Sequence, residues 1–400
     1  MSEYRTQEVA RRAGVDVAYV ARLVELGVVT PDAQDRLSVG DVRRVRLAQT
    51  LDRAGVPLEG IGAAIRSGAI SLAFLEQPFY ERFASLSSVT FKDLAQKTSI
   101  PIDLLMVIRE AIGFAQPQPE DAIREDELRI AVVIERLLAT GSRVVVVERL
   151  LRVWGESLRR IAEMEGDWWR SEVEMPLLAS GMSEREMMEA ANRLSPELSA
   201  LQEKAVLEIY HAQHEHAATK NIIEDIESAL AKAGVYSRLD RTPAVCFLDV
   251  TGYTRLTEER GDAAAADLAA QLGRMVQRTS TLHGGKPVKW LGDGVMLYFR
   301  DPGPAVLAAL QIVRDVAGAG LPAAHVGLHA GPVLFQEGDY FGRTVNVAAR
   351  IADYARAGEI LVTQEVVDAS RGGAVFAPIG PVELKGVSGI LELYSAREGT

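Results

Sequence analysis

One apolar stretch decides the fold of this 400-residue chain: Ala244-Val245-Cys246-Phe247-Leu248-Asp249-Val250. Its length and its β-branched and aromatic residues predict a buried strand. Pro243 stands just before it, and a proline disfavours helix in the residue before it. The chain upstream has the pattern of helices, whereas the chain downstream alternates strands with helices. We therefore predict an α+β protein, with an all-α region that ends near residues 241–243.

The pattern downstream of Pro243 predicts a mixed sheet with helices between its strands. The order is close to the βαββαβ arrangement of ferredoxin-like folds. Helices are predicted between 255 and 283, at 303–317 and at 342–356. Strands are predicted at 244–250, 286–291, 294–300, 324–334, 359–362, 381–384 and 390–395.

Two carboxylates stand where predicted strands turn. Asp249 is followed by Thr251-Gly252-Tyr253-Thr254, a tight turn whose amides could face phosphate groups. Asp293 lies between two glycines in Lys289-Trp290-Leu291-Gly292-Asp293-Gly294, a predicted hairpin where the backbone can approach a ligand. A single aspartate at a turn is common, but carboxylate oxygens are also the ligands that Mg²⁺ prefers. The pair therefore indicates a candidate site for divalent metal.

A second pair of motifs follows, Asp339-Tyr340-Phe341-Gly342 and Asn346-Val347-Ala348-Ala349-Arg350. Asn346 and Arg350 are four residues apart in a predicted helix, so they share one face. An amide and a guanidinium on that face could stabilise charge that develops on phosphorus. Taken alone, such a pair is usually no more than two surface residues.

Together these motifs resemble the catalytic core of the class III nucleotidyl cyclases. The resemblance covers residues 241–396 and implies a ferredoxin-like domain that converts ATP to 3′,5′-cyclic AMP and pyrophosphate. It also implies two divalent metal ions, Mg²⁺ or Mn²⁺, which activate the attacking oxygen and neutralise the phosphates. The implied metal ligands are Asp249, Val250 and Asp293, the catalytic residues are Asn346 and Arg350, and the substrate-binding residues are Lys289, Asp339, Lys385, Gly252, Tyr253 and Thr254.

The identities of Lys289 and Asp339 favour ATP over GTP. A lysine donor and a carboxylate acceptor complement N1 and the 6-amino group of adenine, whereas guanine presents the opposite pattern. Guanylate cyclases of the family tend to carry glutamate and cysteine at these positions. Lys385, in the short motif Val382-Glu383-Leu384-Lys385-Gly386-Val387, stands where the family places a lysine on the triphosphate.

The resemblance further implies a head-to-tail homodimer with two shared sites. One chain would supply Asp249 and Asp293 to each site. The partner would supply the remaining residues, Lys289, Asp339, Asn346, Arg350 and Lys385.

The helical region contains an internal repeat. Thr6-Gln7-Glu8-Val9-Ala10 recurs as Thr90-Phe91-Lys92-Asp93-Leu94-Ala95, which predicts two modules at about 1–75 and 86–195. The first resembles the helix-turn-helix head of MerR-type regulators, and the pair resembles the regulatory domain of some actinobacterial adenylate cyclases. The predicted domains are thus a helical regulatory domain at 1–195, a linker helix at 196–240 and a catalytic domain at 241–396.

The charge of the chain argues against nucleic acid as a partner. The net charge is −11, and the would-be recognition helix, residues 17–25, has Arg22 as its single cation, although phosphate backbones require a basic surface. The alternative function is a nucleotide-responsive DNA-binding regulator with a cyclase-like sensor domain. No apolar run reaches the length of a membrane helix, and the single cysteine, Cys246, fits a reducing compartment, so we expect a cytoplasmic protein.

Two effectors are compatible with the helical region. Three of the six histidines, His211, His214 and His216, lie in the predicted linker helix, and histidine ordinarily titrates near pH 6.5. The linker could therefore respond to protons, although solvated surface histidines are the simpler explanation of the pattern. Trp154, Trp168 and Trp169 could line an apolar pocket for a lipid, or they could belong to an ordinary helical core.

Overall fold

The computed structural model describes residues 4–76, 84–235, 242–370 and 372–399. The chain divides into two compact units, Met1–Thr219 and Lys220–Thr400. The first is helical and the second contains a mixed sheet, which confirms the predicted α+β class. Within the described ranges, no helix combines the length and the apolar character that a membrane crossing needs.

Helices dominate the first unit, with one short antiparallel ribbon that the helical pattern did not predict. The ribbon pairs β1 (Leu86–Thr90) with β2 (Ala122–Arg124). The helices are α1 (Thr6–Ala13), α2 (Val17–Glu25), α3 (Val39–Arg53), α4 (Leu58–Ser67), α5 (Phe91–Lys97), α6 (Ile102–Ala111), α7 (Glu125–Ala139), α8 (Val144–Trp169), α9 (Met175–Ala179) and α10 (Glu184–Lys232), whose residues from Lys220 onward belong to the second unit.

Each predicted helical module encloses an apolar core of its own. In the first, Gly14 adopts a left-handed conformation (φ 76°) that ends α1, and Asp16 caps α2 through the amide of Tyr19. The core that results contains Val9, Val20, Leu23, Val42 and Val45. In the second, α5 begins with a capping box between Thr90 and Asp93. Its core contains Phe91, Leu105, Ile108, Ile123 and Ile134.

The long helix α10 begins earlier than the predicted linker helix. It starts at Glu184 and continues through Pro196, where a helix start was predicted. Alanine, arginine, glutamate and leucine residues around Pro196 favour helix, so the helix continues despite the missing amide. The helix ends at Lys232, close to Gly234, which has a left-handed conformation (φ 71°). Residues 236–241, which include the predicted end of the linker, lie outside the described ranges.

The second unit contains, within the described residues, a seven-stranded sheet in the order β10-β11-β9-β6-β3-β5-β4. Neighbouring strands are antiparallel except for the parallel pair β6 and β9. The strands are β3 (Ala244–Val250), β4 (Gly285–Leu291), β5 (Gly294–Phe299), β6 (Ala324–Ala330), β7 (Leu334–Gln336), β8 (Asp339–Phe341), β9 (Ile360–Thr363), β10 (Ala374–Glu383) and β11 (Ile390–Glu398). The helices are α11 (Tyr253–Arg260), α12 (Asp262–Leu282), α13 (Pro302–Gly318), α14 (Arg343–Tyr354) and α15 (Gln364–Ala369).

The predicted strand at 324–334 is shorter than expected, and a separate hairpin of β7 and β8 follows it. Pro332 interrupts the strand because proline cannot donate to the ladder. Glu337 (φ 55°) and Gly338 (φ 78°) then form the turn between β7 and β8. The strand predicted at 381–384 corresponds to β10, which is longer and begins at Ala374. Helix α15 was not predicted.

Strand β3 separates two apolar layers, because successive side chains of a strand point to opposite faces. Ala244, Cys246 and Leu248 pack in the same core as α13, whereas Val245 packs with Met296 and with residues of α14. Asp249 therefore belongs to the face that α14 covers. On the neighbouring strand β6, a Cβ added to Gly327 would lie 2.2 Å from the backbone nitrogen of Ala352. The glycine allows α14 to lie directly on the sheet.

Candidate active site

Asp249 and Asp293 lie at one end of the sheet, on adjacent strands. Asp249 is near the end of β3, and Asp293 forms the hairpin between β4 and β5 beside Gly292 (φ 65°). A Cβ on Gly294 would lie 3.1 Å from Oδ1 of Asp249, so the glycine lets the hairpin backbone approach the carboxylate. Both aspartates line a cavity of about 510 Å³.

The two carboxylates form an electrostatically strained pair. Burial raises the pKa of the Asp249 carboxyl, and the neighbouring Asp293 carboxylate raises it further. Within the described chain, neither carboxylate forms an ion pair with a lysine or an arginine. A divalent cation would relieve this repulsion, so the pair fits a metal site. No group of three His, Cys, Asp or Glu side chains among the described residues could hold a metal, so further ligands would come from backbone, substrate or water.

His325 is a polar neighbour of Asp249 that was not predicted from the sequence. The two residues are direct partners in the ladder between β3 and β6. Nε2 of His325 lies 3.6 Å from Oδ2 of Asp249, and Nδ1 lies 3.3 Å from Oγ1 of Thr251. The sequence carries no signal for this contact, because it depends on the register of two strands that are distant in the chain.

Asn346 and Arg350 line the same cavity as the two aspartates. They lie on the exposed part of α14, as the four-residue spacing predicted. Nη1 of Arg350 donates to Oδ2 of Asp353 at 2.7 Å, and Asp353 also lines the cavity. Asp353 was not among the residues predicted from the sequence, although its position one helical turn after Arg350 could have indicated the pair.

Lys289 and Asp339 form an ion pair away from this cavity. Lys289 lies on β4 and Asp339 begins β8, and Nζ of the lysine donates to Oδ2 of the aspartate. Oδ1 of Asp339 accepts a hydrogen bond from the amide of Tyr340 at 2.8 Å. The ring centroid of Phe341 lies 5.9 Å from Nζ of Lys289. The structure thus joins these two predicted residues to each other, but neither lines the cavity that holds Asp249 and Asp293.

The predicted phosphate-binding turn follows β3 directly. Gly252 (φ 80°) precedes α11, which begins at Tyr253. The hydroxyl of Tyr253 donates to the carbonyl of Ala265 at 2.7 Å, so it is already engaged within the protein. We therefore expect phosphate binding by the backbone amides of this turn. The side chain of Thr254 lies outside the part of the chain that the structure describes.

Val250 and Lys385 have different relations to the cavity. Val250 is buried at the end of β3, so only its carbonyl could serve as a metal ligand. Lys385 is exposed in the turn after β10 and does not line the cavity, although the next residue, Gly386, does. The structure therefore brings together Asp249, Asp293, Asn346 and Arg350, and it leaves Lys385 at the rim.

Two protein-family models match the chain. The adenylate cyclase regulatory domain matches residues 40–217, and the adenylate and guanylate cyclase catalytic domain matches residues 235–396. The first match lies within the first unit, and the second match lies within the second unit. Catalytic domains of this family generally use divalent metal ions, which agrees with the paired carboxylates.

Several actinobacterial proteins are similar over most of this length. A protein of Mycobacterium tuberculosis named as a pH-sensitive adenylate cyclase is 26% identical over 320 residues, which cover 78% of each chain. An adenylate cyclase of Streptomyces coelicolor is 27% identical over 274 residues, 67% of this chain and 68% of its own. An uncharacterized M. tuberculosis protein is 30% identical over 245 residues, 60% of its length. Among solved structures, the adenylyl cyclase CyaB of Pseudomonas aeruginosa is 24% identical, with a TM-score of 0.37, over 40% of this chain and 95% of its own.

Proposed function

The chain belongs to the class III adenylate cyclases that carry a helical regulatory domain, and from this premise we propose that it converts ATP to 3′,5′-cyclic AMP and pyrophosphate. One observation carries the proposal. Asp249 of β3, Asp293 of the β4–β5 hairpin and the Asn346–Arg350 pair of α14 line one cavity of about 510 Å³ at the end of the sheet. A site for a nucleoside triphosphate requires carboxylates that bind its metal ions and hydrogen-bond donors that contact its phosphates.

We assign metal binding to Asp249, Asp293 and the carbonyl of Val250. Two divalent ions, Mg²⁺ or Mn²⁺, would activate the ribose 3′-hydroxyl and neutralise the triphosphate when bound. The amides of the turn from Gly252 to Thr254 would then bind phosphate oxygens. The rigid β3 strand and the glycine-flanked hairpin hold the two carboxylates in place before the substrate arrives.

We assign charge stabilisation to Asn346 and Arg350. The 3′-oxygen attacks the α-phosphorus, pyrophosphate leaves, and the negative charge on the phosphorus oxygens increases. The guanidinium of Arg350 is held by Asp353 and can donate to these oxygens, while Asn346 can orient the ribose. Removal of a donor of this kind typically costs about 10²- to 10³-fold in kcat.

We assign recognition of adenine to Lys289 and Asp339, and contact with the triphosphate to Lys385. We also propose a head-to-tail homodimer in which these residues, with Asn346 and Arg350, act on a nucleotide held by the partner's aspartates. The location of the Lys289–Asp339 pair outside the cavity supports a second chain at the site. Exposed apolar side chains of β4 and of the β7–β8 hairpin lie on the elements that carry the pair and could form the interface: Leu291, Leu334, Phe335 and Phe341.

One geometric fact favours a second arrangement. Asn346 and Arg350 line the same cavity as Asp249 and Asp293 of their own chain, so they could also act within one chain. The two arrangements make opposite predictions for mixtures of inactive variants, as described in the Discussion.

We propose that the helical domain regulates the reaction, with protons or a lipid as effector, and that the protein acts in the cytoplasm. His211, His214 and His216 are exposed on α10, and the similar M. tuberculosis protein is named for its pH sensitivity. In the first unit, Trp154 and Leu158 line a cavity of about 660 Å³ whose other lining residues are mostly apolar. Activity measured against fatty acids of increasing chain length tests the lipid effector, and a constant rate across the series would exclude it.

The alternative function, a DNA-binding regulator, has little support from the first unit. Arg22, the single cation of α2, is engaged in an ion pair with Glu59. A helix without free cations is poorly suited to bind phosphates. Turnover separates the two functions, because a sensor domain would bind ATP without releasing product.

The decisive experiment measures cyclic AMP and pyrophosphate formed from ATP by the full-length protein with Mn²⁺ or Mg²⁺. We expect product from the wild type and from Asp267→Asn, which alters an exposed residue of α12, and none from Asp293→Ala. ATP binding without product in the wild type would support the sensor function instead. GTP, tested in parallel, measures any second activity.

A further inference from the structure

A second cavity lies in the same unit, at the other end of α14. Its volume is about 820 Å³, and it shares no lining residue with the candidate active site. The start of α13, the loop after β6, the start of α14 and helix α15 form its walls. Thr344 fixes two of these walls together, because its hydroxyl donates to the carbonyl of Pro332 at 2.7 Å. This volume is within the range of small-molecule sites.

His329 provides a buried polar atom in this cavity. The residue is 4% exposed, and its Nδ1 lies 2.9 Å from Oγ1 of Thr363. Nδ1 also lies 3.8 Å from Oε2 of the Glu365 carboxylate, which can only accept. The nearby carboxylate favours the tautomer with the proton on Nδ1, and we therefore assign Nδ1–H of His329 as the donor to Thr363.

The other ring nitrogen of His329 is consequently an acceptor without a partner. Burial and the charge of Arg343 lower the pKa of His329, so its neutral form prevails at neutral pH. In that form Nε2 carries a lone pair, and it makes no hydrogen bond with a described residue. Among the described residues, Nε2 is also not one of the side-chain polar atoms that are both unpaired and fully shielded from solvent. Nε2 is therefore accessible from the cavity that His329 lines.

Arg343 adds a cation to the same cavity. It is the first residue of α14, lines the cavity, and forms no ion pair or hydrogen bond with a described residue. No side chain caps this end of α14, so the first amides of the helix also lack side-chain acceptors. A guanidinium beside an uncapped helix N-terminus is suited to a carboxylate or a phosphate group.

The remaining charged groups of the lining are carboxylates. Oδ1 of Asp301 accepts from the amide of Gly303 at 3.0 Å, and Oδ1 of Asp368 accepts from Gln364 at 2.6 Å. The second oxygen of Asp368, together with Glu365 and Nε2 of His329, provides further acceptors on the cavity wall. A ligand that fits both sets of groups carries an anionic end and several O–H or N–H donors.

We propose that this cavity binds a small organic anion with hydroxyl groups, its carboxylate or phosphate at Arg343 and the start of α14, and its hydroxyls at His329 and the acidic residues. The site differs from the nucleotide site in position, because the two cavities share no lining residue. It lies at the first turn of the same helix that carries Asn346 and Arg350. The proposal does not depend on the cyclase reaction.

Isothermal titration calorimetry on the full-length protein tests this proposal with three probes. Glycerol 3-phosphate and glycerate each combine an anionic group with hydroxyls, and glycerol has hydroxyls alone. We expect one or both anions to bind with a dissociation constant of about 1 mM or below, and glycerol not to bind at that concentration. A preference between the two anions distinguishes a phosphate ligand from a carboxylate ligand.

Two matched variants on α14 locate the site. Arg343→Gln should weaken binding at least about tenfold, because it removes the charged donor, whereas Arg350→Gln should bind like the wild type. Both arginines are exposed, so we expect both variants to fold, and circular dichroism checks this. Absence of anion binding in the wild type, undiminished binding in Arg343→Gln, or weakened binding in Arg350→Gln would each overturn the proposal.

Discussion

Lys289 and Asp339 form an ion pair with each other, although they come from strand β4 and strand β8. Both are partly exposed, with 37% and 24% of the side chain accessible, so the pair is open to a ligand. Adenine can replace this contact by accepting from the lysine at N1 and donating its 6-amino group to the carboxylate. Guanine has a donor at N1 and an acceptor at position 6, which is the reverse of adenine. It therefore cannot replace, in the same orientation, the contacts that the lysine and the carboxylate lose when the ion pair opens.

The first prediction concerns this pair. Lys289→Glu combined with Asp339→Cys should lower kcat/KM for ATP by about 10²-fold or more and raise it for GTP, because donor and acceptor are exchanged. Each single substitution leaves one mismatched group, so it should reduce activity with both nucleotides. Steady-state kinetics with ATP and GTP check this, and an unchanged ATP preference in the double variant would remove both residues from base recognition.

The second prediction follows from the repulsion between Asp249 and Asp293. Asp293→Asn should abolish cyclase activity but increase the stability of the metal-free protein at neutral pH, by at most about 1 kcal/mol because Asp249 is half-exposed. Urea unfolding in EDTA measures the change. Asp267→Asn, an exposed control on α12, should alter neither property.

The pH dependence of this effect has a definite sign. The pKa of Asp249 is raised on folding, so between the ordinary and the raised pKa the folded state binds more protons than the unfolded state. The free energy of unfolding therefore falls as pH rises through this window. Asp293→Asn removes the Asp293 charge, which is one cause of the raised pKa of Asp249. The free energy of unfolding of this variant should therefore fall less steeply with pH above pH ~4. A decline that is identical in both proteins would contradict the assigned coupling.

The third prediction separates shared sites from sites within one chain. If the dimer is head-to-tail, an equimolar mixture of Asp293→Ala and Arg350→Ala chains contains half heterodimers, each with one intact site. The mixture should then recover about one quarter of wild-type activity. If all four residues act within one chain, no mixture recovers activity. Prior refolding or coexpression ensures that the chains exchange, and size-exclusion chromatography with light scattering verifies the dimer.

Sequence patterns predicted the fold class and several contacts of the candidate site, because these depend on local rules. The strand that ends near Asp249 and the four-residue spacing of Asn346 and Arg350 were both visible in the chain. The contact between Asp249 and His325 was not, because cross-strand register depends on the whole sheet. The β7–β8 hairpin was missed since its strands contain only three residues each, which is too short for a periodic pattern.

The fourth prediction concerns the three histidines of α10. Tyr210 contacts two of them, with ring centroids 5.8 Å from His211 and 6.0 Å from His214, and all three are exposed. If they sense protons, replacing all three by glutamine should reduce the change in full-length activity between pH 5.5 and 8. Glutamine keeps hydrogen bonding but cannot titrate. An unchanged pH profile would assign the response, if present, to other groups.

The fifth prediction concerns Gly327, which lies on β6 beneath α14. A Cβ at this position would lie 2.2 Å from the nitrogen of Ala352 and 2.6 Å from the carbonyl oxygen of Ala348. These are backbone atoms, which cannot rotate away, so Gly327→Ala must displace the helix from the sheet. We expect a loss of about 1–3 kcal/mol in stability and a fall in kcat, because Asn346 and Arg350 move with the helix.

Gly318→Ala is the matched control, since its added Cβ meets no atom within 4 Å and alanine favours the helix. Urea unfolding and steady-state kinetics measure both effects. If Gly327→Ala keeps the wild-type kcat, the activity does not depend on the contact between α14 and β6.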